Sequence, residues 1–277
     1  MENNELKNIV KEKYGEIASQ SKLQNETSCC GIGSFSCSGV DYTIFSESYN
    51  ELLGYNPDAD LGLGCGIPTE FALIKKGDTV VDLGSGAGND CFVARALVGE
   101  TGKVIGVDFT ETMIEKARQN AEKLGFNNVE FRYGDIEKMP LTANKADVVI
   151  SNCVLNLVPD KKKAFNEIYR ILKVNGHFSI SDVVLEGKLP AKLEQAAEMY
   201  AGCVSGAIQK QDYLNIIKEC GFKNISVQKE KKITIPDEIL LNYLSVAELE
   251  ALKHENTGIY SITVYAEKSD CNCEGNC

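Results

Sequence analysis

The sequence predicts an α/β protein built on a doubly wound, mostly parallel sheet that ends in an antiparallel pair of strands. Three observations carry that expectation. From residue 79 onward, short apolar runs alternate with amphipathic stretches of helical length, the pattern of parallel strands joined by crossover helices. The first of these strands runs into a glycine turn, VVDLGSGAGND. Near the end, FKNISVQKE and IYSITVYAEK alternate apolar and polar residues, as strands with one buried face do.

The elements follow in order. Leu6, Ile9, Val10 and Ile17 recur at helical spacing over residues 5–18 and predict an amphipathic helix. NETSCCGIGSFSCSGVD (25–41) is a Gly/Ser/Cys loop with little capacity for regular structure. A short helix is expected around 43–53, followed by a second glycine-rich turn, DLGLGCGIPT. TVVDLG (79–84) reads as a strand and DCFVARALVG as its helix. KVIGVD (103–108) is the second strand, and Thr110 caps a helix through MIEKARQNAEKLG. VEFRYGD (129–135) and ADVVIS (146–151) are the third and fourth strands, KKAFNEIYRILK a helix, and HFSISDVV the fifth strand. Helices are expected at about 191–202 and 210–220, and in part of IPDEILLNYLSVAELEAL; the tail SDCNCEGNC is polar.

Composition narrows the function. The 277 residues carry 29 basic and 40 acidic side chains, a net charge of −11. No Lys/Arg cluster is long enough to follow a phosphate backbone, so nucleic acid is not an expected partner. The N-terminus lacks a signal-peptide core, and no apolar run approaches the ~20 residues of a membrane span. A cytoplasmic protein without a membrane partner is expected. There the 11 cysteines should rest as thiols. Two histidines and no tryptophan leave little room for imidazole-based chemistry. Sulfur is the distinctive resource.

The glycine turn marks a cofactor site at the carboxyl ends of the strands. Gly84, Gly86 and Gly88 let the backbone turn tightly and approach a ligand. Asp108 ends the second strand, twenty residues after Gly88, where a carboxylate can accept from both ribose hydroxyls. Asp135 ends the third strand and could accept from an adenine amino group. Asn89 stands where a dinucleotide fingerprint needs its third glycine, which disfavours a nicotinamide oxidoreductase. Asp82 would repel a pyrophosphate and suits a cationic amino group. This combination resembles the class I S-adenosylmethionine methyltransferases and implies their Rossmann-like fold, with Asp82 beside the methionine moiety and Asp108 on the ribose. Met113, Ile136 and Asn152 complete the candidate cofactor contacts.

Four regions distant in sequence offer thiols on turns: Cys29 and Cys30 in the Gly/Ser loop, Cys65 in LGLGCGIPT, Cys153 in SNCVLNLVPD and Cys203 in MYAGCVSGA. Cys153, two residues past Ser151, should face the transferable methyl. Packing is the competing explanation for any one buried cysteine. Cys91 lies on the apolar face of its helix and Cys220 precedes Gly221 at a helix end, so both are assigned to structure.

DLGLGCGIPT, DLGSGAGNDCF, SNCVLNLVPDK and YAGCVSGA, in that order, resemble the arsenite S-adenosylmethionine methyltransferases over about residues 5–267. The resemblance implies that Cys153 and Cys203 stay bound to trivalent arsenic, that Cys65 is the third thiol, and that Cys29 or Cys30 is the N-terminal redox thiol; Cys30 is taken as the candidate. It implies S-adenosyl-L-methionine as methyl donor and arsenite or its thiol conjugates as substrate. A thiol reductant, thioredoxin or glutathione, is implied as co-substrate, and arsenic detoxification as the role. Three parts are expected: an N-terminal helical and cysteine-loop segment (1–66), the cofactor-binding Rossmann-like domain (67–229), and a C-terminal extension with the final strand and the cysteine-rich tail (230–277). The tail's CNCEGNC could capture soft ions. Two alternatives remain at this point: a methyltransferase of a small organic molecule, such as a quinone precursor, and a non-catalytic thiol protein that sequesters soft metals.

Overall fold

A computed structural model describes residues 3–18, 47–187, 206–233, 237–241, 243–254 and 258–269. Cys29, Cys30, Cys203, the Gly/Ser loop, the helix expected at 191–202 and the CNCEGNC tail lie outside the described residues.

Seven strands form one sheet in the order β3-β2-β1-β4-β5-β7-β6. They are β1 (Thr79–Leu83), β2 (Lys103–Asp108), β3 (Val129–Tyr133), β4 (Ala146–Asn152), β5 (Leu172–Glu186), β6 (Lys223–Ile233) and β7 (Gly258–Glu267). β1 pairs in parallel with β2, through Val81 and Ile105, and with β4, through Val81 and Val149. β7 is antiparallel to both β5 and β6, as the C-terminal alternation predicts. The strand order reverses beside β1, so a crevice opens at the carboxyl ends of β1 and β4.

Helix α1 (Asn3–Ala18) precedes the sheet; α2 (Asn89–Val98), α3 (Glu111–Lys123), α4 (Lys161–Ile171) and α5 (Lys210–Glu219) follow strands, and α6 (Asp237–Leu240) and α7 (Val246–His254) lie between β6 and β7. Strand alternation divides the core. Val80, Val104, Val148 and Ile150 pack with Phe92 and Phe131 on the α2/α3 face. Val81, Ile105 and Val149 pack with Phe165, Ile168, Phe178 and Tyr213 on the α4/α5 face. Among the described residues no helix is long and apolar enough to cross a membrane.

Two elements differ from expectation. The helix expected around 43–53 is not formed over residues 47–53, which make turns closed by Leu52 N–H to Tyr49 O at 2.9 Å and Tyr55 N–H to Leu52 O at 3.1 Å. Tyr49 is instead drawn inward, 4% exposed, with its hydroxyl on Gly66 O and Asp90 Oδ1. β5 is also longer than expected. After Asn152 pairs with Ser181, β5 continues through Asp182–Glu186 beside β7, about 16 Å at ~3.3 Å per residue. That extension helps build a third apolar cluster containing Val10, Cys65, Cys153, Leu157, Val183, Leu185, Ala207 and Ile259.

Candidate active site

A cleft of about 1200 Å³, counted to its open mouth, occupies the crevice. Its floor is the β1–α2 turn. Gly84 and Gly86 have φ of 65° and 50°, in the left-handed region where a side chain is strained. Beside the turn stands Asp108, 7% exposed, whose Oδ2 accepts Gly86 N–H at 3.0 Å and whose Oδ1 accepts Thr110 N–H at 2.8 Å. Burial pushes its pKa up, and these backbone bonds hold it back. Each oxygen keeps lone pairs for ribose hydroxyls.

Of the sequence candidates, Gly84, Gly86, Asp108, Met113, Asp135, Ile136, Asn152 and Cys153 line the cleft. Gly88 lies behind the turn, where a Cβ would come within 2.9 Å of Phe92 and Phe131. Asp82 also lies behind the wall. Its position in β1 is on the same face as Val80, toward α2, and its Oδ2 accepts from Cys91 Sγ at 3.2 Å. Burial and the nearby Asp90 push its pKa well up. A neighbouring carboxylate that does reach the cleft wall is Asp90, in the first turn of α2. It accepts from Tyr49 Oη at 2.7 Å and from Asn152 Nδ2 at 3.1 Å. Burial raises its pKa to about 6, with the Tyr49 and Asn152 bonds acting against the rise.

Asp135 is reached by α1. Lys7 Nζ lies 2.7 Å from both Asp135 Oδ2 and Glu137 Oε2, and Lys7, Val10 and Tyr14 line the cleft. An adenine amino group would therefore meet a carboxylate already in an ion pair.

Two buried polar atoms have no hydrogen-bond partner in this region: Ser85 Oγ and Asn89 Oδ1. Both residues line the cleft. Unsatisfied buried polar atoms are rare in folded proteins and often mark a ligand's place. Together with Asp108 and the acidic pole of Asp60 and Asp90, they fit a ligand that carries hydroxyls and an ammonium, as S-adenosylmethionine does.

One thiol stands on the cleft wall and a second lies in the apolar cluster that it shares. Cys153 lines it, is 3% exposed, and has φ of 59°, uncommon for a residue other than Gly, Asn or Asp. Its N–H donates to Ser181 O at 2.8 Å. Strain of this kind, roughly 1–3 kcal/mol, concentrates at functional positions. Cys65 is fully buried in the same apolar cluster and is not part of the cleft wall. Its N–H donates to Asn152 Oδ1 at 2.9 Å and its carbonyl accepts from Ser261 Oγ. Ser179 Oγ donates to Pro68 O at 2.8 Å, so hydroxyls from β5 and β7 peg this turn to the sheet. Glycine is required on either side of Cys65: a Cβ at Gly64 would stand 2.5 Å from Asn152 Nδ2, and one at Gly66 would stand 2.7 Å from Ser181 Oγ. Cys91 and Cys220 are buried in the two sheet-face clusters. Among the described residues no three His, Cys, Asp or Glu side chains converge as a metal site; Cys65 and Cys153 are the two described members of the expected thiol set.

Sequence reading missed Tyr49, Asp60, Asp90 and Lys7. An acid in the first helical turn after G-x-G-x-G is a usable signal for Asp90. Tyr49 and Lys7 reach the site only through tertiary packing and leave no local mark.

Comparison with known proteins agrees with this geometry. A family model described as a methyltransferase domain matches residues 74–221. The arsenite methyltransferase of Halobacterium salinarum is 40% identical over 266 residues, 90% of this chain and 67% of that protein. That of Aquipseudomonas alcaligenes is 33% identical over 86% of this chain and 68% of its own length. The crystal structure of an arsenic(III) S-adenosylmethionine methyltransferase from Chlamydomonas reinhardtii superposes with a TM-score of 0.63 at 33% identity, covering 75% of this chain and 68% of that one. With a donor cleft, a buried thiol on its wall and this degree of likeness over most of its length, the chain belongs to the arsenite methyltransferases, a family of S-adenosylmethionine-dependent enzymes.

Proposed function

We propose that Cys65, Cys153 and Cys203 hold trivalent arsenic at the end of the cleft while methyl groups are transferred to it, with thioredoxin or glutathione as reductant, in cytoplasmic detoxification of arsenic. The observation that carries this reading is Cys153: a buried thiol in a left-handed backbone conformation on the cleft wall, next in sequence to the amide that holds the Cys65 turn.

Soft thiolates select a soft centre, and three of them can cap pyramidal arsenic. S-adenosylmethionine supplies an electrophilic methyl carbon on its sulfonium. Asp108 holds the ribose and Asp90 the ammonium, while Met113 and Ile136 flank the adenine. The thiol cage leaves one arsenic lone pair, aimed into the cleft. Positioning supplies most of the acceleration, since aligned reactants in near-attack contact gain several kcal/mol. No proton leaves arsenic, so no general base is required, in keeping with a site without histidine. Transfer raises arsenic formally from the trivalent to the pentavalent state. Two thiolates, Cys65 and Cys30 or Cys29, return the electron pair as they join in a disulfide, and the external thiol reopens it by exchange. In this scheme residues 1–66 bring the redox thiols and, through Lys7, Tyr49 and Asp60, part of the cleft wall; 67–229 bring the rest of the donor site, and 230–277 the final strand with its cysteine tail.

Mass spectrometry of products from arsenite, S-adenosylmethionine and thioredoxin or glutathione tests the reading. Mono- and dimethylated arsenicals are expected. No methylated arsenical, or methylation of a quinone precursor that survives Cys65→Ser, would overturn it.

The acidic pole gives a pH dependence. An ammonium binds the ionised form of Asp90, whose pKa is raised to about 6 chiefly by burial. Affinity for S-adenosylmethionine is therefore full well above pH 6 and falls roughly tenfold per unit below it. Calorimetric titration at pH 5, 6 and 7.5 should show this slope, and Asp90→Asn should bind weakly with the slope removed.

A further inference from the structure

The hydrogen bonds joining the two ends of the site have more acceptors than protons. Asn152 Nδ2 carries two hydrogens and faces three acceptors: Tyr49 Oη at 2.8 Å, Gly66 O at 2.8 Å and Asp90 Oδ2 at 3.1 Å. The single Tyr49 proton faces two, Asp90 Oδ1 at 2.7 Å and Gly66 O at 3.1 Å. Three protons thus serve five contacts. Asn152 Oδ1, at the other end of the same amide, accepts the Cys65 N–H at 2.9 Å. The amide therefore touches Cys65 itself and Gly66, which follows it, and it also touches the carboxylate at the acidic pole of the donor cleft.

An under-protonated network of this kind stands ready for a cationic donor. An ammonium on Asp90 brings up to three hydrogens of its own. The ammonium draws charge from Asp90, which then competes less strongly for the protons of Asn152 and Tyr49, and these shift toward Gly66 O and the Asn152–Tyr49 bond.

We propose that Asn152 is a positioning residue that couples the two substrates: filling the ammonium site at Asp90 tightens its hold on Gly66 and Cys65 and so orders the Cys65 thiol for arsenic. This rests on the reading of Asp90 and Cys65 given above. Coupling between two ligands is reciprocal, so bound arsenic in turn tightens the hold on the donor. The consequence for the reaction is order: the metalloid cage is completed when a methyl donor is in place, which limits capture of arsenite by an enzyme unable to turn it over.

The test measures inorganic arsenite binding to the full chain with and without S-adenosylhomocysteine, which keeps the amino-acid end of the donor and cannot transfer a methyl. In the wild type, S-adenosylhomocysteine should tighten arsenite binding about tenfold, within the usual range of coupling between sites. Asn152→Asp keeps an acceptor for the Cys65 N–H and loses both amide hydrogens; its ratio should fall close to one. Tyr49→Phe keeps the ring and loses one shared proton, and its ratio should lie between the two. A wild-type ratio of one, or a wild-type ratio retained in Asn152→Asp, overturns the proposal. The ratio is internal to each protein, so lower stability of a variant does not mimic the result. Should Asn152→Asp fail to fold, Tyr49→Phe decides, and an unchanged ratio there overturns the proposal. Failure of the underlying reading has a different signature: arsenite would bind Cys65→Ser as tightly as the wild type.

Discussion

Cys153→Ser is expected to fold, to bind S-adenosylmethionine as the wild type does, and to lose arsenic methylation by about 10³-fold or more. The substitution changes one atom. Serine keeps the left-handed backbone, φ 59°, and the N–H bond to Ser181 O. Its hydroxyl enters an apolar cluster shared with Cys65 and Leu157, at a cost of about 1–3 kcal/mol if unpartnered. The chemical loss is larger. A hard hydroxyl does not replace a soft thiolate on arsenic, so under the proposed thiol set the metalloid would lose its ligand on the cleft wall and its lone pair would swing off line. A displacement of an ångström at a reacting atom can already cost about 10²-fold, and losing a ligand adds to it. A factor of 10³ corresponds to about 4 kcal/mol of transition-state stabilisation. Calorimetry with S-adenosylmethionine checks the first half of this outcome and product mass spectrometry the second. Retention of a tenth of wild-type turnover would make Cys153 a packing residue.

The sheet was legible because its determinants are local. Apolar runs ending in Asp82-Leu83-Gly84 and Val107-Asp108 announce strands that stop at a ligand, and β1, β2 and β4 form where those runs lie. The site was legible only where a residue type is tied to a strand end. Asp108 is such a case. Asp82 lies behind the cleft wall, for strand alternation turns it toward α2 and Cys91, and Asp90, which reaches the wall, stands on the following helix. Residues 47–53 have a composition compatible with a helix, but the tertiary bonds of Tyr49 to Gly66, Asp90 and Asn152 outweigh a weak local preference. That Cys65 and Cys153 share one apolar cluster cannot be read from their spacing. It depends on an amide in β4 reaching the N–H of a residue in a turn that precedes the whole sheet.

Lys161→Met should lower stability by about 3 kcal/mol, more at pH 8 than at pH 6. Lys161 begins α4, 9% exposed, so its charge stands at the end of the helix that repels cations. Three carbonyls hold it there: Asn156 O at 3.0 Å, Val158 O at 3.1 Å and Gly206 O at 3.0 Å. Burial still lowers its pKa. Methionine matches the stem in length, so the expected loss comes from the stranded carbonyls rather than from a cavity. Asp182 sets the pH dependence. Burial pushes its pKa up to about 7, with Lys161 and the Tyr213 hydroxyl holding it back; that hydroxyl donates to Asp182 Oδ2 at 2.9 Å. A raised folded pKa favours the protonated folded form, so this group's contribution is full below its unfolded value of about 3.9 and is lost as pH rises through the folded value. Without Lys161 the folded pKa moves higher still. Near pH 6 Asp182 is mostly protonated in both proteins and the missing cation matters least; at pH 8 the wild type has an ionised Asp182 attracted by the nearby Lys161 charge, and the variant has lost that attraction. Melting curves at the two pH values should differ from wild type by roughly 6–12 °C at the larger end, and a deficit below about 1 kcal/mol at both would leave Lys161 without a structural role. The same variant should need more arsenite for half-maximal turnover, because Gly206 lies three residues beyond the third proposed thiol in sequence, and Lys161 ties it to Asn156 and Val158 in the segment that follows Cys153.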